Sequence, residues 1–219
     1  MKQLLAIFAI ILPMTVLAQE KKDPMIPIPQ NENAIRMAAE LSKYGYANND
    51  ALSLIQAARV SKQFGFTLEE KEKTQEGENA VEEGQKSGQV SLDADKLLAD
   101  AKVLAGDDGV LLALIDDVNS NARGAVGGPK YALSRVSAGG TDIYHFSFRA
   151  GEPAIVTVSG DGDTDLDLYV FDNDGNLVDS DTDYSDDCLC VWTPLWTGQF
   201  TIRIRNRGRV YNSYVIHTN

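Results

Sequence analysis

Carboxylates are the residues of this chain whose number and spacing could support chemistry. Between residues 161 and 187 the sequence holds eleven aspartates and no Lys or Arg. Asp161, Asp163, Asp165 and Asp167 alternate, so a strand through them would place all four on one face, about 6.6 Å apart. Calcium takes six to eight oxygen ligands, which clustered carboxylates and loop carbonyls can supply. The pattern therefore predicts a calcium site in this stretch.

The candidate calcium ligands are Asp161, Asp163, Asp165, Asp181 and Asp183. An EF-hand is excluded, because Leu166 stands where that loop requires glycine. The alternative is a solvated acidic face whose charge is balanced by the alternating arginines 203, 205, 207 and 209. The sequence leaves both interpretations open.

Aromatic residues in the same region form a second candidate site. Tyr184, Trp192 and Trp196 could build an exposed platform on which a sugar or a peptide stacks. The alternative is that the tryptophans belong to the core, since tryptophan is highly buried on average.

Cys188 and Cys190 are separated by one residue. In a strand their Cβ atoms would lie about 6.6 Å apart, whereas a disulfide needs roughly 3.8 Å. Three states stay open: two thiols packed on one face, a bridge across a distorted strand, or metal ligation by two sulfurs.

No catalytic set accompanies these residues. The chain has two histidines, His145 and His217, both within predicted strands, and it lacks G-x-S-x-G, H-E-x-x-H and glycine-rich phosphate motifs. A net charge of −12 argues against partners such as nucleic acid and anionic membranes, which require clustered cations. These features predict a protein that is not an enzyme.

The N-terminus has the pattern of a secretory signal. Lys2 precedes an apolar run from Leu4 to Leu17, which Pro13 interrupts and which is too short to span a bilayer. Small or compact residues before the predicted cleavage point favour cleavage after Ala18. We expect a periplasmic or extracellular protein with no membrane insertion after cleavage.

Helical periodicity occupies the first half of the chain. We expect a helix from a cap at Asn33 to about Gly45, a second from a cap at Asn49 or Asp50 to Phe64, and two more at 93–105 and 108–122. The two helix pairs resemble each other weakly, as in hairpin repeats. Such a unit is either a scaffold that docks a protein or a bundle without a partner.

Strand periodicity begins at Tyr131. Eight short strands are predicted, at about 130–137, 142–149, 154–160, 166–171, 176–180, 188–193, 198–205 and 210–218. Their spacing favours an antiparallel sandwich or jelly roll.

Motifs in this half resemble those of the bacterial pre-peptidase C-terminal domain family. They are DIYHFSFRAGEPAIVTVSG, DTDLDLYVFDNDGNLVDSD, WTPLWTGQFTIRIRN and the closing YVIHT, in the family's order. The resemblance covers 131–219 and implies a jelly-roll accessory module, of a family in which some members bind calcium and some bind collagen or polysaccharide. No peptidase precedes the domain, so a role in proteolysis is not implied.

We thus expect an α+β two-part chain, a small helical N-terminal unit followed by an antiparallel jelly-roll β-sandwich. Its expected divisions are a signal peptide (1–18), a Pro-rich spacer (19–32), a helical region (33–122) with a solvated charged loop (67–89), a Gly-rich linker (123–130) and the sandwich (131–219). The expected function is non-catalytic binding of a protein or a polysaccharide, with calcium as a possible stabiliser. The alternative is a structural or assembly protein whose helical half docks a protein partner.

Overall fold

The computed structural model describes residues 27–77, 84–120 and 128–219. The predicted signal peptide lies outside these residues, as do the first part of the predicted spacer and most of the predicted linker. The described chain contains four helices and two β-sheets, which confirms the predicted two-part fold.

The helices are α1 (Gln30–Asn48), α2 (Ala51–Phe64), α3 (Ala94–Ala105) and α4 (Gly109–Ser120). Asp50 caps α2 and Asp93 caps α3, because each side chain accepts backbone N–H groups of the first turn. These two boundaries agree with the sequence prediction.

Helix α1 is longer than predicted at both ends. It begins directly after Pro29, the N-cap residue, whose ring fixes a φ of −58°. It continues through Gly45 to Asn48, and the C-cap residue Asn49 has a φ of 52°. Gly45 is not a terminator: a side chain there would collide with Leu54 of α2. Glycine at this position lets the two helices pack closely.

The strands are β1 (Thr67–Leu68), β2 (Thr74–Glu76), β3 (Lys130–Val136), β4 (Thr141–Phe148), β5 (Ala154–Ser159), β6 (Leu166–Phe171), β7 (Leu177–Asp181), β8 (Asp187–Trp192), β9 (Gly198–Asn206) and β10 (Asn212–Thr218). One sheet has the order β1-β3-β10-β5-β8 and the other β2-β4-β9-β6-β7. All pairs are antiparallel except β1–β3. Strands β3–β10 correspond to the eight predicted strands.

Alternate residues of the strands form the core between the sheets. In β8 they are Cys188, Cys190 and Trp192, and in β9 Phe200 and Ile202. The alternation of apolar residues along each strand therefore places them on the inner faces.

The segment 67–77 is largely exposed, as expected of a solvated loop, but it contains two short strands. Strand β1 pairs with β3 at the edge of one sheet, and β2 pairs with β4 at the edge of the other. The segment thus crosses from one sheet to the other along an open side of the sandwich. Its many charged residues concealed this role, because such composition is typical of solvated chain.

The helical half and the sandwich share a buried cluster. Ile35 and Ala38 of α1 pack with Val90, Tyr131 and Val215. A separate core joins α2, α3 and α4. The shared cluster fixes α1 against strands β5 and β10.

Loops gather at the two ends of the sandwich. The acidic end consists of loops 160–165, 182–186 and 207–211. Loops 149–153 and 193–197 lie at the opposite end, which is called the apolar end here for its exposed Leu195 and Trp196. Backbone hydrogen bonds join the loops within each end.

Candidate functional site

The acidic end places Asp161 in the interior. Its side chain accepts hydrogen bonds from the backbone N–H of Ser213 at 2.6 Å and from the ammonium group of Lys86. The side chain is fully buried. Asp161 is therefore engaged by donors of its own chain.

Asp163 lies beside it in the loop that precedes β6. Its carboxylate accepts the backbone N–H of Ser87 at 3.0 Å and of Gly88 at 2.8 Å, and lies 2.7 Å from Lys86 Nζ. Burial opposes ionisation, but the bonds from Lys86 and the two amides hold the pKa of Asp163 below its usual value. Gly88 is required here because a side chain would overlap the carbonyl group of Asp161.

The other candidate ligands differ from this pair in their contacts. Asp165 stands at the end of the same loop, where burial and the nearby charge of Asp167 raise its pKa. Asp181, in β7, accepts the backbone N–H of Leu189 at 2.8 Å. Asp183 is exposed in the loop 182–186.

The alternation of aspartates from 161 to 167 does not form a strand row, because β6 begins only at Leu166. Among residues 27–77, 84–120 and 128–219, no group of three or more His, Cys, Asp or Glu side chains is arranged to hold a metal ion. The predicted calcium ligands therefore do not converge on one point.

A lysine of α1 serves a second group of carboxylates at this end. Lys43 Nζ lies 3.1 Å from Asp186, 3.1 Å from Glu40, and also bonds Asp187. Although burial lowers it, the pKa of Lys43 is raised overall by the bond to Asp187 and by the surrounding negative charge. Burial, and then a hydrogen bond with Glu40, raises the pKa of Asp187 to about 6.

A third lysine supports a buried carboxylate within β4. Asp142 is fully buried and accepts bonds from Lys73, from Gln75 Nε2 at 2.7 Å and from Tyr214 OH at 2.6 Å. The Tyr214 hydroxyl is also 2.7 Å from that of Tyr144. The sequence analysis did not predict this network. The one indication of it in the sequence is Asp142, an aspartate next to the aromatic residues of β4.

The cations that balance the aspartates are thus mainly lysines from outside the sandwich sequence. Of the arginines proposed for this role, Arg207 lies 3.6 Å from Asp167, whereas Arg203 pairs with Glu76 of β2. Arg205 is exposed.

The aromatic platform is not assembled. Trp192 is buried and packs against Phe148 and Phe200, with ring centroids 4.8 and 5.5 Å away. Trp196 is 45% exposed in the apolar end, and Tyr184 is 100% exposed in the acidic end. The alternation that buries the two cysteines continues to Trp192, which gives the physical reason for its place in the core.

Both cysteines are free and buried on the inner face of β8. The Cys188 thiol lies 3.1 Å from the carbonyl oxygen of Leu166, which it approaches as a donor. Burial, with the nearby aspartates, raises the pKa of both thiols above its usual value. The two cysteines are therefore unbridged thiols packed on one face, which is the first of the three states that the sequence left open.

The two histidines lie in different sheets. His145 is exposed on β4 and contacts the Thr201 hydroxyl at 3.2 Å. His217 is buried on β10, where Nδ1 is 2.7 Å from the carbonyl oxygen of Lys130 and Nε2 is 3.7 Å from Glu32. They therefore do not form a common site.

A cavity of about 190 Å³ opens on the helical half. Tyr46, Asn49, Asp100, Val103 and Leu104 line it. The Tyr46 hydroxyl donates to Asp100 at 2.7 Å, and burial with this bond raises the pKa of Tyr46 above its usual value. Val103 and Leu104 of α3 form an apolar and open part of the wall, since Val103 is 81% exposed. Sequence periodicity placed these helices but did not indicate the cavity.

No helix in residues 27–77, 84–120 and 128–219 combines the length and apolar composition needed to cross a bilayer.

Comparison with known proteins assigns no family. No family model matches the chain, and no curated protein matches it.

Solved structures resemble part of it. The pre-peptidase C-terminal domain of a Bacillus anthracis collagenase is 8% identical, covers 42% of this chain and 89% of its own, and gives a TM-score of 0.37. PliG, a periplasmic inhibitor of g-type lysozyme from Aeromonas hydrophila, is 15% identical over 43% of this chain and 91% of its own, with a TM-score of 0.31.

A carbohydrate-binding module of Cellvibrio mixtus lichenase 5A is 9% identical over 41% of this chain and 86% of its own, with a TM-score of 0.25. At TM-scores below 0.5, these similarities establish neither a family nor a ligand for this chain.

Proposed function

We propose that this chain is an exported, non-catalytic binding protein whose helical half docks a segment of a protein partner, with the sandwich as its rigid support. The cavity between Tyr46 and Leu104 carries the proposal. Export rests on the signal pattern of residues 1–18.

Hydrogen bonds and ion pairs within the chain occupy many of its carboxylates, and this supports a non-catalytic role. At the acidic end Asp161, Asp163 and Asp186 accept bonds from lysines and backbone amides, whereas Asp165 Oδ1 is buried without a hydrogen-bond partner among the described residues. A general acid or base needs a free edge within reach of a substrate. Asp142, the most deeply buried carboxylate, is likewise engaged by three donors.

The size of the cavity favours a single side chain as its occupant. Pockets for small ligands generally measure about 300–1,000 Å³, well above 190 Å³. Burying one aliphatic side chain contributes about 1.5–3 kcal/mol, enough for an anchor in a protein interface. Val103 and Leu104 provide the apolar contact, and Asp100 and Asn49 provide polar groups beside it.

Charge defines the partner further. Asp100 lies at the cavity but is paired with Lys96 at 2.5 Å, so the negative charge open to a partner is that of Asp107 and Asp108 in the exposed turn between α3 and α4. The whole chain carries a net charge of −12, which steers cationic surfaces toward it. We infer a partner segment with an aliphatic side chain next to Lys or Arg.

Selection of phage-displayed random peptides on the full chain tests this proposal. The selected peptides should combine an aliphatic residue with Lys or Arg, and Val103→Glu should weaken their binding by about 10-fold or more, the loss of roughly 1.4 kcal/mol. Leu177→Glu, at a 56% exposed site on β7, is the matched control and should leave binding unchanged.

Peptides that bind both variants as they bind the unaltered chain would reject the helical cavity as the docking site. Binding to soluble polysaccharide that survives Val103→Glu and is lost on Trp196→Ala would replace the proposal with sugar binding at the apolar end, where Trp196 is partly exposed.

A further inference from the structure

The family resemblance implies calcium, and Asp161 and Asp163 of the acidic end do not fit it. The oxygens of Asp161 and Asp163 face backbone N–H groups of Ser87, Gly88 and Ser213. An N–H group directs positive charge at a carboxylate and cannot ligate a cation, whereas calcium needs six to eight oxygens. The donors around these two aspartates therefore exclude calcium from this arrangement.

A cation is nevertheless present between the two carboxylates. The ammonium group of Lys86 bonds Asp161 and lies 2.7 Å from Asp163. It also lies 4.9 Å from the centroid of the Tyr211 ring, within range of a cation–π interaction. The Lys86 side chain is 19% exposed, so it neutralises the pair in a largely desolvated position.

We propose that Lys86 is a built-in counter-ion that takes the charge-neutralising role of a divalent metal at the acidic end. It holds the loop 160–165 against the segment 84–89 without any bound ion. This inference concerns the stability of the acidic end and does not depend on the partner of the helical cavity.

The connection made by Lys86 extends to the helical half. Residue 86 precedes Val90 and Leu92, which belong to the buried cluster shared by α1 and the sandwich. Ser87 and Gly88 bond Asp163 through their own N–H groups, so three consecutive residues anchor to the same loop. The chain leading to α3 is thereby fixed at the point where it leaves the sandwich.

Thermal melting of the full chain, in EDTA and in millimolar calcium, tests the proposal. The unaltered protein should have the same Tm in both, because a ligand of the native state would raise Tm with its concentration. Lys86→Met should lower Tm by about 5 °C or more in EDTA, since it leaves a buried carboxylate pair without its cation. Lys102→Met, at an exposed lysine of α3, is the matched control and should leave Tm unchanged.

A calcium-dependent rise in the Tm of the unaltered protein would overturn the proposal, and so would a Lys86→Met variant as stable as the control. Lys86→Arg decides the case in which Lys86→Met does not fold. A folded arginine variant whose Tm is indifferent to calcium supports a charge-based role. If neither variant folds, the proposal is rejected, because the loop would then require the shape of the lysine side chain and not its charge.

Discussion

Replacing Lys43 with methionine gives the sharpest test of how α1 is held on the sandwich. Lys43 is the cation shared by Glu40, Asp186 and Asp187, and its removal leaves three carboxylates facing one another. Methionine retains most of the aliphatic stem, so the change is mainly one of charge.

The magnitude follows from the burial of the group. Removing one partner of a fully buried ion pair costs about 3–5 kcal/mol. The side chains of Lys43, Asp186 and Asp187 are 17%, 7% and 23% exposed, so solvent screens part of the interaction. We expect a loss of about 2–3 kcal/mol in the free energy of unfolding at pH 7.5.

The loss of stability in the Lys43→Met variant should depend on pH. The pKa of Asp187 is already raised to about 6 by burial and Glu40, and loss of the Lys43 charge should raise it further. At pH values above about 6 the folded variant then binds more protons than the folded parent, so its stability relative to the parent falls as pH rises above that value. The loss should be smaller at pH 5, where Lys43 of the parent still pairs with Asp186, than at pH 7.5.

Urea denaturation at both pH values measures this difference, and Lys102→Met is the control for removing an exposed lysine. A Lys43→Met variant that loses the same stability at pH 5 and pH 7.5 would refute the electrostatic reasoning. A loss no larger than that of the control would show that the contact with the sandwich does not depend on Lys43.

Two further tests address β8. Asp181→Ala removes the acceptor for the backbone N–H of Leu189, and we expect urea denaturation to report a loss of about 1.5–3 kcal/mol in the free energy of unfolding. The control Asp183→Ala, in the exposed loop, should change this free energy by less than about 0.5 kcal/mol. Equal losses in the two variants would refute a bonding role for Asp181. In the native protein at pH 8, Cys188 and Cys190 should not react with Ellman's reagent, because burial raises the pKa of their thiols. Both should react in denaturant. Rapid labelling of the native protein would contradict this prediction.

The sandwich could be predicted from the sequence because its strands and turns are specified by patterns of neighbouring residues. Alternating apolar residues mark strands such as 166–171, and Asp174-Gly175 marks the turn that follows. The same local pattern could have placed Trp192 in the core, since it continues the alternation of Cys188 and Cys190. Trp196 follows Pro194 outside that pattern, and it is the tryptophan that is exposed.

The partners of the carboxylates could not be predicted in this way. Lys73 is 69 residues from Asp142 along the chain, and Lys86 is 75 residues from Asp161. Both lysines lie in a segment whose composition is typical of solvated chain. The pairing arises only when the segment crosses the edge of the folded sandwich, and no periodicity within the segment records that contact.

The abundance of aspartate in the stretch 161–187 has a structural explanation. A carboxylate on a short side chain can accept backbone N–H groups close to its own loop, as Asp172 does from Asp174 and Asn176, or on a neighbouring element, as Asp163 does from Ser87 and Gly88. Each such bond consumes an oxygen that a metal or a substrate would need. These aspartates are therefore engaged in holding the fold together. The helical half differs, because apolar surface stays open there beside a cavity large enough for one side chain. This contrast is the reason to look for the partner on the helices and not at the aspartates.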